Sequence, residues 1–188
     1  MCQETVYVSD WQNGTVLTKI FSNEDATDES AASEAASCFA LNPTKPNEIA
    51  IAMKSGLLKL YDLFTHATVR VMRAHSMPIL TIAYDPSGTL VATGSADKSI
   101  KVWDMEQGHC THIFKDHSDV VQRVYFHPVR NDLRLFSSGD DNTVRIYDLH
   151  DSACVAAFKD HMSLPTALAV AENGHILVTG GRDKVGVT

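Results

Sequence analysis

The chain has 188 residues, 44% of them hydrophobic and 21% charged, with a formal net charge of −7. Those values suit one globular domain or two, and they exclude a generally basic surface of the kind that coats nucleic acid. Much of the negative charge is local. Asn23–Ser37 holds five acidic residues (Glu24, Asp25, Asp28, Glu29 and Glu34) and no lysine or arginine, so the rest of the chain carries −2.

Val6–Asp10, Gln12-Asn13-Gly14 and Val16–Phe21 read as a strand, a turn and a second strand. The acidic, Ala- and Ser-rich stretch 23–37 reads as a solvated flexible insert, with an alanine-rich helix as the alternative. Phe39–Pro43 and Ile49–Met53 then read as inner strands, and Leu58–Asp62 alternates as a half-buried strand does. From Thr68 the pattern becomes regular. An outer strand Thr68–Met72 introduces His75, a strand, the Asp85-Pro86-Ser87-Gly88 turn, a second strand, a tight turn at Asp97 and a third strand ending in Trp103-Asp104. The same order recurs with Cys110–Phe114, His117, Val121–Phe126, Leu133–Ser137 and Val144–Asp148. It recurs again with Cys154–Phe158, His161, Thr166–Val170, Ile176–Thr179 and Asp183.

His75 and His117 lie 42 residues apart, and Trp103 and Tyr147 lie 44 apart. A period of about 40–45 residues marks four-stranded propeller blades. The fold class expected is all-β: a partial propeller of about three full blades with part-blades at both ends, the blades ending near 62, 104, 148 and just past 188. Ser9-Asp10 falls where Trp103-Asp104 sit, and the next aromatic is due at position 189, so the chain is expected to be part of a longer one. The first blade is degenerate, with Ser55 where Asp97 would stand and the acidic insert in place of the histidine.

Each regular repeat carries a histidine, a hydroxyl, an aspartate and an aromatic: His75, Thr93, Asp97, Trp103; His117, Ser137, Asp141, Tyr147; then His161, Thr179, Asp183. His, Ser and Asp together suggest a hydrolase triad, but a catalytic constellation is needed once and this one recurs three times. No Gly-x-Ser-x-Gly elbow exposes a nucleophile. The structural expectation is a buried hydrogen-bond network. The histidine donates to the aspartate and turns its other nitrogen to the hydroxyl, which also receives the indole N–H. Arg182 and Lys184, beside Gly180-Gly181, are weaker candidates for a phosphate or partner contact, in a stretch without Walker spacing. His109 and His112 read as a surface pair.

Cys2, Cys38, Cys110 and Cys154 contain no Cys-x-x-Cys pair. The last two are repeat-equivalent, which points to two buried strand residues in a reducing compartment. No metal or other cofactor is expected. No apolar run approaches the ~18 residues of a membrane span, and Met1–Asp10 lacks the form of a signal peptide; the expected setting is intracellular, without a membrane partner.

With Trp103-Asp104, His75 and Asp97, the repeats resemble the WD-repeat family of β-propellers, which implies a non-catalytic scaffold for other macromolecules. GHCTHIFKDHSDVVQRVYFHP (108–128), GGRDK (180–184) and TLVATGSADKSIKVWD are similar to the transducin-beta-like WD-repeat subunits of the small-subunit processome, in its UTP-B subcomplex. That resemblance implies a nucleolar role in pre-ribosomal RNA processing and in assembling the U-three small nucleolar ribonucleoprotein. The implied partners are other protein subunits, with pre-rRNA reached through the complex. The alternative is a generic WD-repeat adaptor, as a ubiquitin-ligase substrate receptor or signalling platform, that binds short peptides and ignores RNA.

Overall fold

Period-two alternation, β-branched residues and tight turns every few residues leave the chain little option but antiparallel sheet. The computed structural model describes residues 6–10, 12–20, 35–172, 174–181 and 186–187, and these form five antiparallel sheets with no helix among them. The first is a two-stranded sheet, β1 (Val6–Asp10) with β2 (Thr15–Ile20). Three four-stranded sheets come next in the chain. The first comprises β3 (Ala36–Leu41), β4 (Glu48–Met53), β5 (Leu57–Asp62) and β6 (Ala67–Arg73). The second holds β7 (Ile79–Tyr84), β8 (Leu90–Ser95), β9 (Ile100–Asp104) and β10 (His109–Phe114). The third holds β11 (Val121–Phe126), β12 (Arg134–Gly139), β13 (Val144–Asp148) and β14 (Ala153–Phe158). A three-stranded sheet of β15 (Pro165–Val170), β16 (Leu177–Gly181) and β17 (Gly186–Val187) completes the described chain. The sheets are WD-repeat-like blades of a partial propeller, as the repeat implies.

Two boundaries differ from the sequence expectation. The outer strand placed at the head of the second blade, Thr68–Met72, lies in β6 and pairs with β5, closing the first sheet. Likewise β10 pairs with β9 and β14 with β13. Repeats that end at 62, 104 and 148 are therefore offset by one strand from sheets that end at Arg73, Phe114 and Phe158. The cause is the tight connection. In the β9–β10 turn the Asp104 carboxylate accepts the N–H groups of Glu106 (2.9 Å) and Gln107 (2.8 Å), and the Gly108 N–H returns to the Asp104 carbonyl at 2.8 Å. Asp62 caps Phe64 and Thr65 in the same way, and Asp148 caps His150 and Asp151. Such a turn can only fold the chain straight back on the strand it leaves. Second, β3 begins at Ala36, inside the stretch assigned to the flexible insert; residues 23–34 of that insert lie outside the described residues.

The inner strands β3, β7, β11 and β15 stand side by side, and the sheets stack face to face behind them. Between the first and second four-stranded sheets lie Ala50, Ala52, Leu58, Met72, Val91 and Trp103. Between the second and third lie Ile100, Val102, Phe114, Val124, Leu135 and Tyr147. Second strands such as β8 and β12 are covered on both faces, which is why their sequences run apolar or small without alternation. Each large side chain buried in these interfaces contributes about 1.5–3 kcal/mol of transfer free energy.

Candidate functional site

The repeated polar side chains meet at one end of each of the last three sheets, where the second and third strands turn into each other. In the second four-stranded sheet His75 Nδ1 lies 2.9 Å from Asp97 Oδ2, and Nε2 lies 2.8 Å from Thr93 Oγ1. Trp103 Nε1–H donates to the same Thr93 oxygen at 3.2 Å. One proton arrangement satisfies all three contacts: Nδ1–H donates to the carboxylate, Nε2 accepts the threonine hydroxyl, and the threonine oxygen accepts the indole. The aspartate is also held locally, accepting the Ser99 hydroxyl at 2.6 Å and the Ser99 N–H at 3.0 Å.

The third sheet repeats this with other side chains. His117 Nδ1 is 3.0 Å from both Asp141 oxygens and Nε2 is 2.6 Å from Ser137 Oγ. Asp141 further accepts the Thr143 hydroxyl at 2.7 Å and the Ser118 N–H at 3.0 Å. Tyr147 takes the place of the tryptophan, but its hydroxyl is buried and closes no hydrogen bond. Ser137 is near enough to ease the phenol's ionisation, yet burial dominates and drives its pKa well up. In the last sheet His161 Nε2 lies 2.8 Å from Thr179 Oγ1. Asp183, Arg182 and Lys184 fall outside the described residues. Among the described residues the first four-stranded sheet shows no such network; Ile51 fills the site equivalent to Thr93 and is fully buried.

Burial pushes the His75 and His117 pKa values below the ordinary imidazole range, against the opposing pull of Asp97 and Asp141. Burial also works against the two carboxylates. Ser99 and His75 around Asp97, and Thr143, Ser118 and His117 around Asp141, outweigh it and hold both below the usual carboxylate range. The resting pair is thus a neutral imidazole donating to an anionic carboxylate.

Although this is a triad's connectivity, Thr93 and Ser137 have 0% exposure, so no substrate atom can reach their hydroxyls. Among the described residues no three His, Cys, Asp or Glu side chains converge on metal-binding geometry. The model of the family described as "WD domain, G-beta repeat" matches residues 67–104, 108–148 and 152–185. The chain belongs to that family. The first two matches start at an outer strand and end at a third strand, the same one-strand offset from the sheets.

Transducin beta-like protein 3 of Rattus norvegicus is 34% identical over 187 residues, 98% of this chain, and the Homo sapiens protein of that name is 35% identical over the same share. A periodic tryptophan protein 2 homolog of Dictyostelium discoideum is 31% identical over 86 residues, 46% of the chain and 9% of its own length. The WD-repeat chain spans 22% of the length of the transducin beta-like proteins it matches.

Sequence reasoning missed the contacts that lock neighbouring WD sheets together at the opposite end. Asn42 Nδ2 donates to the Gly88 carbonyl of the next sheet at 3.0 Å, and His127 Nε2–H to the Gly174 carbonyl at 3.2 Å. Asn42, Asp85 and His127 all directly precede a proline at equivalent phase, which was the available signal. Also missed was the β-bulge near the start of each inner strand, at Ser37, Leu80, Gln122 and Thr166. His109 is exposed and His112 half-buried. His112 Nε2–H donates to the Leu149 carbonyl at 2.8 Å, joining the second and third sheets. Cys110 and Cys154, expected to be buried, are half-buried free thiols with parallel contacts to the His112 and Ala156 carbonyls.

Proposed function

We propose that this WD-repeat chain is a non-catalytic scaffold in ribosome biogenesis. In this reading it acts with UTP-B-like subunits of the small-subunit processome in the nucleolus, in pre-rRNA processing and U-three snoRNP assembly. The observation that carries the reading is the similarity to transducin beta-like protein 3, at 33–35% identity over 98% of the chain. The matches to a periodic tryptophan protein 2 homolog, a dynein assembly factor with WD repeat domains and a cell division control protein 4 cover 46%, 30% and 35% of it. The process assigned is the one implied by the motif resemblance at 108–128 and 180–184. The site geometry supports the scaffold part. The polar groups that could do chemistry are spent on internal bonds, which leaves the strand ends and turns to meet partners.

The test is an affinity tag placed between Ala31 and Ala32 at the native locus, followed by identification of co-purifying RNA and protein. Enrichment of U-three small nucleolar RNA with processome subunits is the expected result. Recovery of ubiquitin-ligase or signalling partners without that RNA overturns the assignment and favours the adaptor.

A further inference from the structure

We draw no further inference here: the strongest candidate, the apolar cavity of about 210 Å³ at the proline turns of the three four-stranded sheets, lined by Pro43, Tyr84, Pro86, Tyr125 and Pro128 among others, carries nothing because nothing in the structure shows what covers it.

Discussion

Replacing Asp141 by alanine is the sharpest test of the buried network. The Asp141 carboxylate accepts from His117 Nδ1, the Thr143 hydroxyl, the Ser118 N–H and, at 3.2 Å, the Thr143 N–H. Ser118 is exposed, so water can take over its N–H, but His117 and Thr143 are buried and their donors would be orphaned. An unsatisfied buried donor costs about 1–3 kcal/mol. Of the three donors on these two residues the Thr143 hydroxyl can turn to another acceptor, and the other two, at about 1–2 kcal/mol each, give roughly 2–4 kcal/mol in all. Asp141→Asn keeps one acceptor and the shape, so it should cost about half as much. Asp151→Ala, at an exposed turn, should stay within about 0.5 kcal/mol of wild type. Urea titrations followed by far-UV circular dichroism measure this. With a slope of about 2 kcal/mol/M, Asp141→Ala should lower the midpoint by roughly 1–2 M. If Asp141→Ala and Asp151→Ala unfold at the same midpoint, the carboxylate is not holding the sheet together and the network argument fails.

Acid should destabilise the fold in two stages. His75 and His117 have folded pKa values below 6.5, so the unfolded chain binds protons that the folded chain refuses, and their stabilising contribution, complete above 6.5, drains away as pH falls below it. Asp97 and Asp141 are depressed below 3.8, so their contribution persists above 3.8 and is lost only as pH falls through their folded values; a urea midpoint unchanged between pH 7.5 and 5.5 would contradict the first stage. Gly88 has φ +75° and a Cβ there would lie 2.3 Å from Asn42 Oδ1, whereas Gly14 has φ +66° and open space, so Gly88→Ala should cost about 1–2 kcal/mol more than Gly14→Ala in thermal unfolding. Trp103→Phe removes a donor that Thr93 accepts and should destabilise by about 1–2 kcal/mol, while Tyr147→Phe removes a buried hydroxyl without a hydrogen bond and should be neutral or slightly stabilising; the opposite order in urea would refute the pairing described for the two sites.

The repeat carried the strands, the partners of His75 and His117 and the Thr179 partner of His161 because each is set by local chemistry with a period, and a period is visible in one sequence. The sheet to which an outer strand belongs was less visible. His75 makes an obvious repeat start and draws Thr68–Met72 into the same unit as β7, although the Asp62 turn that folds this strand back on β5 stands in the sequence. The sheet-to-sheet locks showed in the sequence only as a shared pre-proline phase, for another reason. Whether Asn42, Asp85 or His127 reaches the next sheet depends on how close that sheet's turn comes, and Asp85 instead accepts from Thr89 and Leu90 in its own turn. Tyr147 shows the same limit, since register puts it at the tryptophan's position while only three-dimensional reach decides whether its hydroxyl finds an acceptor.

The interior and the surface of this chain obey opposite rules, and the contrast bears on how a scaffold gains specificity. Inside, the repeat preserves type: histidine at 75, 117 and 161, a hydroxyl at 93, 137 and 179. At the bulges, where an extra residue is re-aimed out of the ladder, the four equivalent positions carry Ser37, Leu80, Gln122 and Thr166. One is apolar, two are hydroxyls, and Gln122 is tied by its amide to Asp140 at 3.1 Å. Turn tips differ too: Met162, 88% exposed, comes directly after His161, where Ser76 and Ser118 come after the other two histidines. A surface that reproduced the interior period would present the same contact several times and favour a repetitive ligand. One that breaks it at each blade, over a frame tied by buried polar bonds, would suit a partner whose own surface does not repeat.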